Sequence, residues 1–154
     1  PSFKNYIKKE GQIVIEIDPK MSFGTGEHET TKLMIIALEK HMNKGENVLD
    51  LGSGTAVLAI CAAKLGAQKV IALDNDEWCL LNGKENVEAN GLNNIVEVRL
   101  GEITAISEAG FDLVIANINK HILINIAREL SSKVKKNPCL LEGACRLQCI
   151  SRFY

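Results

Sequence analysis

Two polar, glycine-bearing segments stand close together in the first half of this 154-residue chain, and both hold residue types that bind ligands. The first, "MSFGTGEHETTK" (Met21 to Lys32), combines two glycines, three threonines and His28. The second, "DLGSGTA" (Asp50 to Ala56), follows a short apolar run. Gly52 and Gly54 lack the side chains that would keep a ligand away from the backbone. Asp74 comes twenty-two positions after Gly52, near the offset of about 20 at which an acidic side chain takes a ribose diol. Loop and carboxylate together point to an adenosine-containing cofactor. The plainer alternative is a glycine turn used only for strand-to-helix packing, with Asp74 as a helix cap.

Two details choose between kinds of cofactor. The dinucleotide fingerprint G-x-G-x-x-G wants a third glycine where this chain has Val57. Asp50 would set a carboxylate against a bound pyrophosphate, and two anions repel. A carboxylate near a cationic sulfonium or ammonium is favourable. Both details favour S-adenosylmethionine.

The elements that position these residues follow from periodicity. "NVLDL" (Asn47 to Leu51), "KVIALD" (Lys69 to Asp74), "NIVEVRL" and "FDLVIAN" (Phe111 to Asn117) read as four strands. Between them, "AVLAICAAKLG" reads as a helix closed by Gly66, and "DEWCLLNGKENVEANG" as a second helix closed by Gly91. A further helix is expected from about Lys120 to Lys135, with Ile122, Ile126, Leu130 and Val134 on one stripe. Strands that are apolar on both faces predict a mostly parallel sheet covered by helices on both sides. "GQIVIEID" (Gly11 to Asp18) alternates like an exposed strand or hairpin. The tail "NPCLLEGACRLQCISRFY" begins as a fifth strand and then loses its period.

Composition narrows the function classes. A formal charge of −1 excludes a broad basic footprint for nucleic acid. No apolar run approaches the ~18–20 residues of a membrane span, and "PSFKNYIKKEGQ" lacks a signal-peptide core, so a cytoplasmic setting is expected. Cys61 and Cys79 read as buried free thiols. Cys139, Cys145 and Cys149 lack paired C-x-x-C spacing, so no metal site is expected.

The chain resembles the ribosomal protein L11 methyltransferases, members of the Rossmann-like methyltransferase class. The resemblance spans roughly Ile17 to Leu130 and rests on "DPKMSFGTGEHETTKL", "VLDLGSGTAVLAICAAKLGAQKVIALDND", "ENVEANG" and "FDLVIANI". It implies S-adenosylmethionine as cofactor and N-methylation of protein amines. The implied substrate is ribosomal protein L11, modified on lysine side chains and the N-terminal amine. The family's cofactor contacts fall on Thr31, Gly52, Asp74 and Asn117, and Thr25 and Gly26 match a loop closing over the methionine end.

Several roles stay open at this point. Thr31 is a cofactor contact or, like Thr30, a helix N-cap. Glu102, after the third strand, faces the adenine amine or is an exposed loop carboxylate. Asn117 orients an incoming amine or caps local backbone. His28 is a general base or orders its loop. The family carries a separate substrate-gripping N-terminal domain, which Pro1 to Asp18 cannot supply, so residues 19–154 are expected to be the catalytic domain. The end from Ala144 departs from the family, so an incomplete sheet is expected. The alternatives to an active enzyme on L11 are a cofactor-binding fragment without activity, and a methyltransferase for another protein or a small amine.

Overall fold

A computed structural model of the chain describes residues 9–20, 28–142 and 146–149. The four expected strands form as β1 (Asn47–Leu51), β2 (Lys69–Asp74), β3 (Val96–Leu100) and β4 (Phe111–Ala116). Helix α1 (Glu29–His41) precedes β1, and α2 (Val57–Leu65) and α3 (Glu77–Ala89) connect β1 to β2 and β2 to β3. Beyond β4 lie α4 (Lys120–Asn125), α5 (Ala127–Lys133), β5 (Val134–Glu142) and β6 (Arg146–Cys149). Among the described residues the sheet runs β3-β2-β1-β4-β5-β6. All pairings are parallel except β5 with β6.

Burial on both sheet faces explains the unbroken apolar runs. Val48, Val70, Ala72, Leu113 and Ile115 pack with the α1–α3 layer. Leu49, Leu51, Ile71, Leu73 and Val114 pack with Leu123 of α4 and Leu130 of α5. Each valine, leucine or isoleucine among them contributes about 1.5–3 kcal/mol when fully buried. Helix α2 is buried from Val57 through Ala63, and its alanines let it lie close to its neighbours. Gly66, in the left-handed region at φ 108°, ends it by donating its N–H to the last carbonyls.

Three expectations change. The helix expected from Lys120 to Lys135 is two short helices that meet at Ile126, whose φ of −98° and ψ of 4° leave the helical range. Val134 leaves the helix because it pairs with Phe111 at the start of β5, so sheet pairing overrides the apolar stripe. Gly11 to Asp18 is neither strand nor hairpin. This segment, a strap, has the backbone groups of Glu16 and Asp18 bonded by the side chains of Asn82 and Asn86 on α3 and of Asn90 at its C-cap instead of by a strand, with Ile15 and Ile17 against the core. Beyond Glu142 the chain returns as β6, with Leu147 opposite Leu141 and Cys149 opposite Cys139. A four-residue edge strand is held by backbone pairing and shows little period.

The split helix makes a direct prediction. Leu130, 2% exposed, and Ile122, 53% exposed, belong to the same apparent stripe but not to the same environment. Leu130→Ala should cost about 2–4 kcal/mol in urea unfolding, and Ile122→Ala less than about 1 kcal/mol. Equal losses would restore the continuous helix.

Candidate functional site

The sheet order reverses between β1 and β4, and the glycine loop leaves β1 at that point, where open α/β sheets bind ligands. The amides of Gly52 and Ser53 both donate to the Leu73 carbonyl, at 2.8 and 3.1 Å, which anchors the loop to β2. One oxygen of Asp74 accepts from the Gly54 N–H at 2.9 Å, and the other from the Asp76 N–H at 3.1 Å. Each oxygen keeps a further lone pair for a ligand. Gly52 has φ 68°, and a Cβ there would lie 2.3 Å from Cγ2 of Ile118, so only glycine fits.

Two adjoining cavities open at the strand ends and share Gly52, Asp74 and Asn75. The smaller, about 210 Å³, has apolar walls from Leu73, Ile103, Ile118 and Ile122, with Glu102 at its edge. The larger, about 550 Å³, is more polar and is lined by His28, Thr30, Thr31, Ser53, Gly54 and Asn117 among others. An apolar cavity beside a carboxylate suits a nucleoside, and the more polar cavity next to it suits an amino-acid end. Ser53 Oγ, buried and without a hydrogen-bond partner among the described residues, is a hydroxyl left for such a ligand.

Thr31, Gly52, Gly54, Asp74 and Asn117 therefore meet around the larger cavity, and Glu102 lies on the smaller one. Thr25 and Gly26 lie outside the described residues. The N-cap of α1 is neither Thr30 nor Thr31 but His28, whose Nδ1 accepts from the Thr30 N–H at 3.3 Å. Nδ1 is also 2.8 Å from Thr30 Oγ1, which accepts from Asn117 Nδ2 at 3.4 Å. Thr31 is 3% exposed. The apolar wall is the part of the site that sequence reasoning misses. Ile122 and Ile126 read as members of a core stripe, and Ile103 and Ile118 carry no pattern of their own.

Asp50 occupies a different place from the one expected. It is 1% exposed, is not among the residues lining either cavity, and accepts from the Ala59 N–H at 3.1 Å. Ala59 is in the first turn of α2, whose N-cap, Ala56, has no capping side chain and takes the left-handed conformation at φ 63°. Asp50 thus supplies from β1 the cap that the helix lacks. Its other oxygen, Oδ1, is buried without a partner among the described residues. Burial pushes this carboxyl from its ordinary 3.8 up to about 7; the Ala59 bond opposes the rise and the charge of Asp74 adds to it. Cys61, also buried, has its thiol pushed up to about 12. No cluster of metal-ligating side chains occurs among the described residues.

A glycine loop after β1, an acidic residue ending β2 and this strand order define a Rossmann-like methyltransferase fold. Known proteins agree. The family described as ribosomal protein L11 methyltransferase (PrmA) matches residues 1–143. The L11 methyltransferase of Alkaliphilus oremlandii is 42% identical over 150 residues, covering 97% of this chain and 48% of that protein. That of Thermosipho africanus is 44% identical over 128 residues, covering 83% and 48%. The crystal structure of a ribosomal protein L11 methylase from Lactobacillus delbrueckii subsp. bulgaricus superposes with a TM-score of 0.79 at 32% identity, covering 90% of this chain and 71% of that one. The chain belongs to the ribosomal protein L11 methyltransferase family. It spans about half the length of the curated relatives it matches.

Because Asp50 has a higher pKa folded than unfolded, the unfolded chain releases this proton first as pH rises. The group's contribution is then fully present below about pH 4 and is lost by about pH 7. The Asp50→Asn substitution keeps an acceptor for the Ala59 amide and removes the titration. The stability of Asp50→Asn relative to the parent, from urea unfolding, should therefore rise by about 2–4 kcal/mol between pH 4 and pH 7.5. A difference independent of pH would mean that Asp50 is not a buried titrating cap.

Proposed function

We propose that residues 19–154 form the catalytic domain of an S-adenosylmethionine-dependent protein N-methyltransferase acting on ribosomal protein L11 in the cytoplasm. The observation that carries this reading is the meeting of Asp74, Thr31 and Asn117 around one cavity at the switch point of a family fold. Among the described residues no helix is long and apolar enough to cross a membrane.

The donor fits the cavities by chemistry. When bound, S-adenosylmethionine supplies a methyl group on a cationic sulfonium. Asp74 would accept from the ribose hydroxyls with the lone pairs its backbone bonds leave free, a charge-assisted interaction. The apolar wall of the smaller cavity would pack against the adenine, and Glu102 would accept from its amine. Thr31, Gly52 and Ser53, which line the larger cavity, would hold the amino-acid end. Asn117 directs its Nδ2 to Thr30, which leaves its carbonyl oxygen to accept from the incoming amine.

The acceptor must be a neutral amine. A lysine with pKa ~10.4 is mostly charged at neutral pH, and desolvation at the cavity mouth lowers that value. Proton loss to solvent then suffices without a dedicated base, and the rate depends mainly on alignment. His28 is committed to capping α1 through Nδ1, which supports the loop-ordering role over the base.

Labelled methyl transfer from S-adenosylmethionine to purified ribosomal protein L11 tests the proposal, together with calorimetry of S-adenosylhomocysteine. Asp74→Ala should abolish product binding, both through the ribose and through the freed Gly54 amide. Asn117→Ala should retain binding within about threefold while slowing transfer at least about tenfold. Binding without any transfer to L11 would favour a cofactor-binding fragment or another acceptor. Tight binding by Asp74→Ala would overturn the site assignment.

A further inference from the structure

Helix α3 carries Asn82 and Asn86, and Asn90 caps its C-terminus; the four-residue spacing places all three on one side. Asparagine is a poor former of helix interiors, so Asn82 and Asn86, both buried, point to a role beyond the helix. Their side-chain amides replace a strand partner for the strap. Asn90 bonds both backbone groups of Glu16, donating to the carbonyl at 2.7 Å and accepting from the N–H at 3.1 Å. Asn82 donates to the Asp18 carbonyl at 2.8 Å.

Asn86 does more. It is 2% exposed, and its Oδ1 accepts from the Asp18 N–H at 2.9 Å. Its Nδ2 donates to the Asp18 carbonyl at 3.4 Å and to the Thr55 carbonyl at 3.0 Å. Thr55 is 0% exposed and lies in the glycine loop, between Gly54, whose amide Asp74 holds, and the left-handed Ala56. One amide thus joins strap and loop. The close approach is possible because Gly83 has no side chain: a Cβ there would meet Val98 at 3.1 Å, Ala56 at 3.5 Å and the Gly54 carbonyl at 3.6 Å.

We infer that Asn86 is a positioning residue for the cofactor loop, clamping the Thr55 carbonyl to the Glu16–Asp18 strap so that the docked strap sets the loop's affinity for S-adenosyl ligands. Neither Asn86 nor the strap lines the two cavities, so the effect passes through the loop backbone alone. A residue that only stabilises the fold would change unfolding without changing the affinity of the folded protein. A clamp changes affinity, and loosening its far end shifts affinity in the same direction as breaking its near end, by less. The inference rests on the reading that the Gly52–Thr55 loop binds the cofactor.

The test compares the full chain with Asn86→Ala, Asn90→Ala and the double variant, all checked by thermal melts to be folded at the assay temperature. Asn90→Ala releases the strap at a partly exposed position and leaves the Asn86–Thr55 bond in place. Calorimetry with S-adenosylhomocysteine should show about a tenfold loss of affinity for Asn86→Ala and a smaller loss for Asn90→Ala. The double variant should be no weaker than Asn86→Ala, because both changes break one link. Hydrogen exchange at the Ala56 amide, which bonds the Ser53 carbonyl, should accelerate in both single variants without ligand. An unchanged affinity in Asn90→Ala, or losses that multiply in the double variant, would overturn the inference. If the parent chain binds no S-adenosylhomocysteine, the cofactor reading fails with it, whereas the exchange data still report whether strap and loop are joined.

Discussion

The carboxylate of Asp74 on the Gly54 amide is the contact on which the rest of the site depends. A glycine loop is conformationally free, and freedom is costly in a binding site because ordering must then accompany ligand capture. Parallel pairing of β1 with β2 places Leu51 opposite Leu73, so the loop emerges beside the acidic residue that ends the neighbouring strand. The Leu73 carbonyl takes two loop amides and Asp74 takes a third. The same carboxylate that we propose to bind a ribose is therefore the one that shapes the loop beside it. Binding and organisation share a residue, which keeps the site compact in a domain of this size.

The loop is held from three further directions, each with its own physics. From below, Asp50 caps α2 across a fully buried gap, and the low dielectric that makes its charge costly also strengthens its bond to Ala59. From the side, α3 presses against the loop where Gly83 leaves room, and Asn86 takes the Thr55 carbonyl. From above, Ile118 lies over Gly52. Ala56 tolerates a left-handed conformation, which costs an L-residue roughly 1–2 kcal/mol, because these contacts over-determine it. Asp50 and Asp74 also repel one another. The larger cavity beside Asp74 is where a cationic ligand would relieve that repulsion.

The two faces of the sheet divide the labour. The α1–α3 face is a dense core of alanine, valine and leucine that fixes the geometry of the loop. The opposite face is covered by two short helices, and their isoleucines serve partly as core and partly as cavity wall. Ile122 and Ile126 show why an apolar stripe is ambiguous: a wall that receives a flat aromatic ligand has the same residue types as one that receives a strand.

What the sequence determined by itself is local. The four inner strands, α2, α3 and the pairing of a glycine loop with an acid at a fixed offset are set by short-range periodicity and by the length of one strand-helix-strand unit, so they can be read along the chain. Tertiary structure decided whatever depends on which surfaces meet. Asp50 points into α2 because β1 turns alternate residues to opposite faces, and Val134 becomes strand because Phe111 needs a partner. His28 takes the cap of α1, and Glu16 and Asp18 find side-chain amides on α3 and its C-cap in place of a strand. Hydrogen-bond donors and acceptors are satisfied by whatever lies nearest in space, and distance in space is not written in the order of residues.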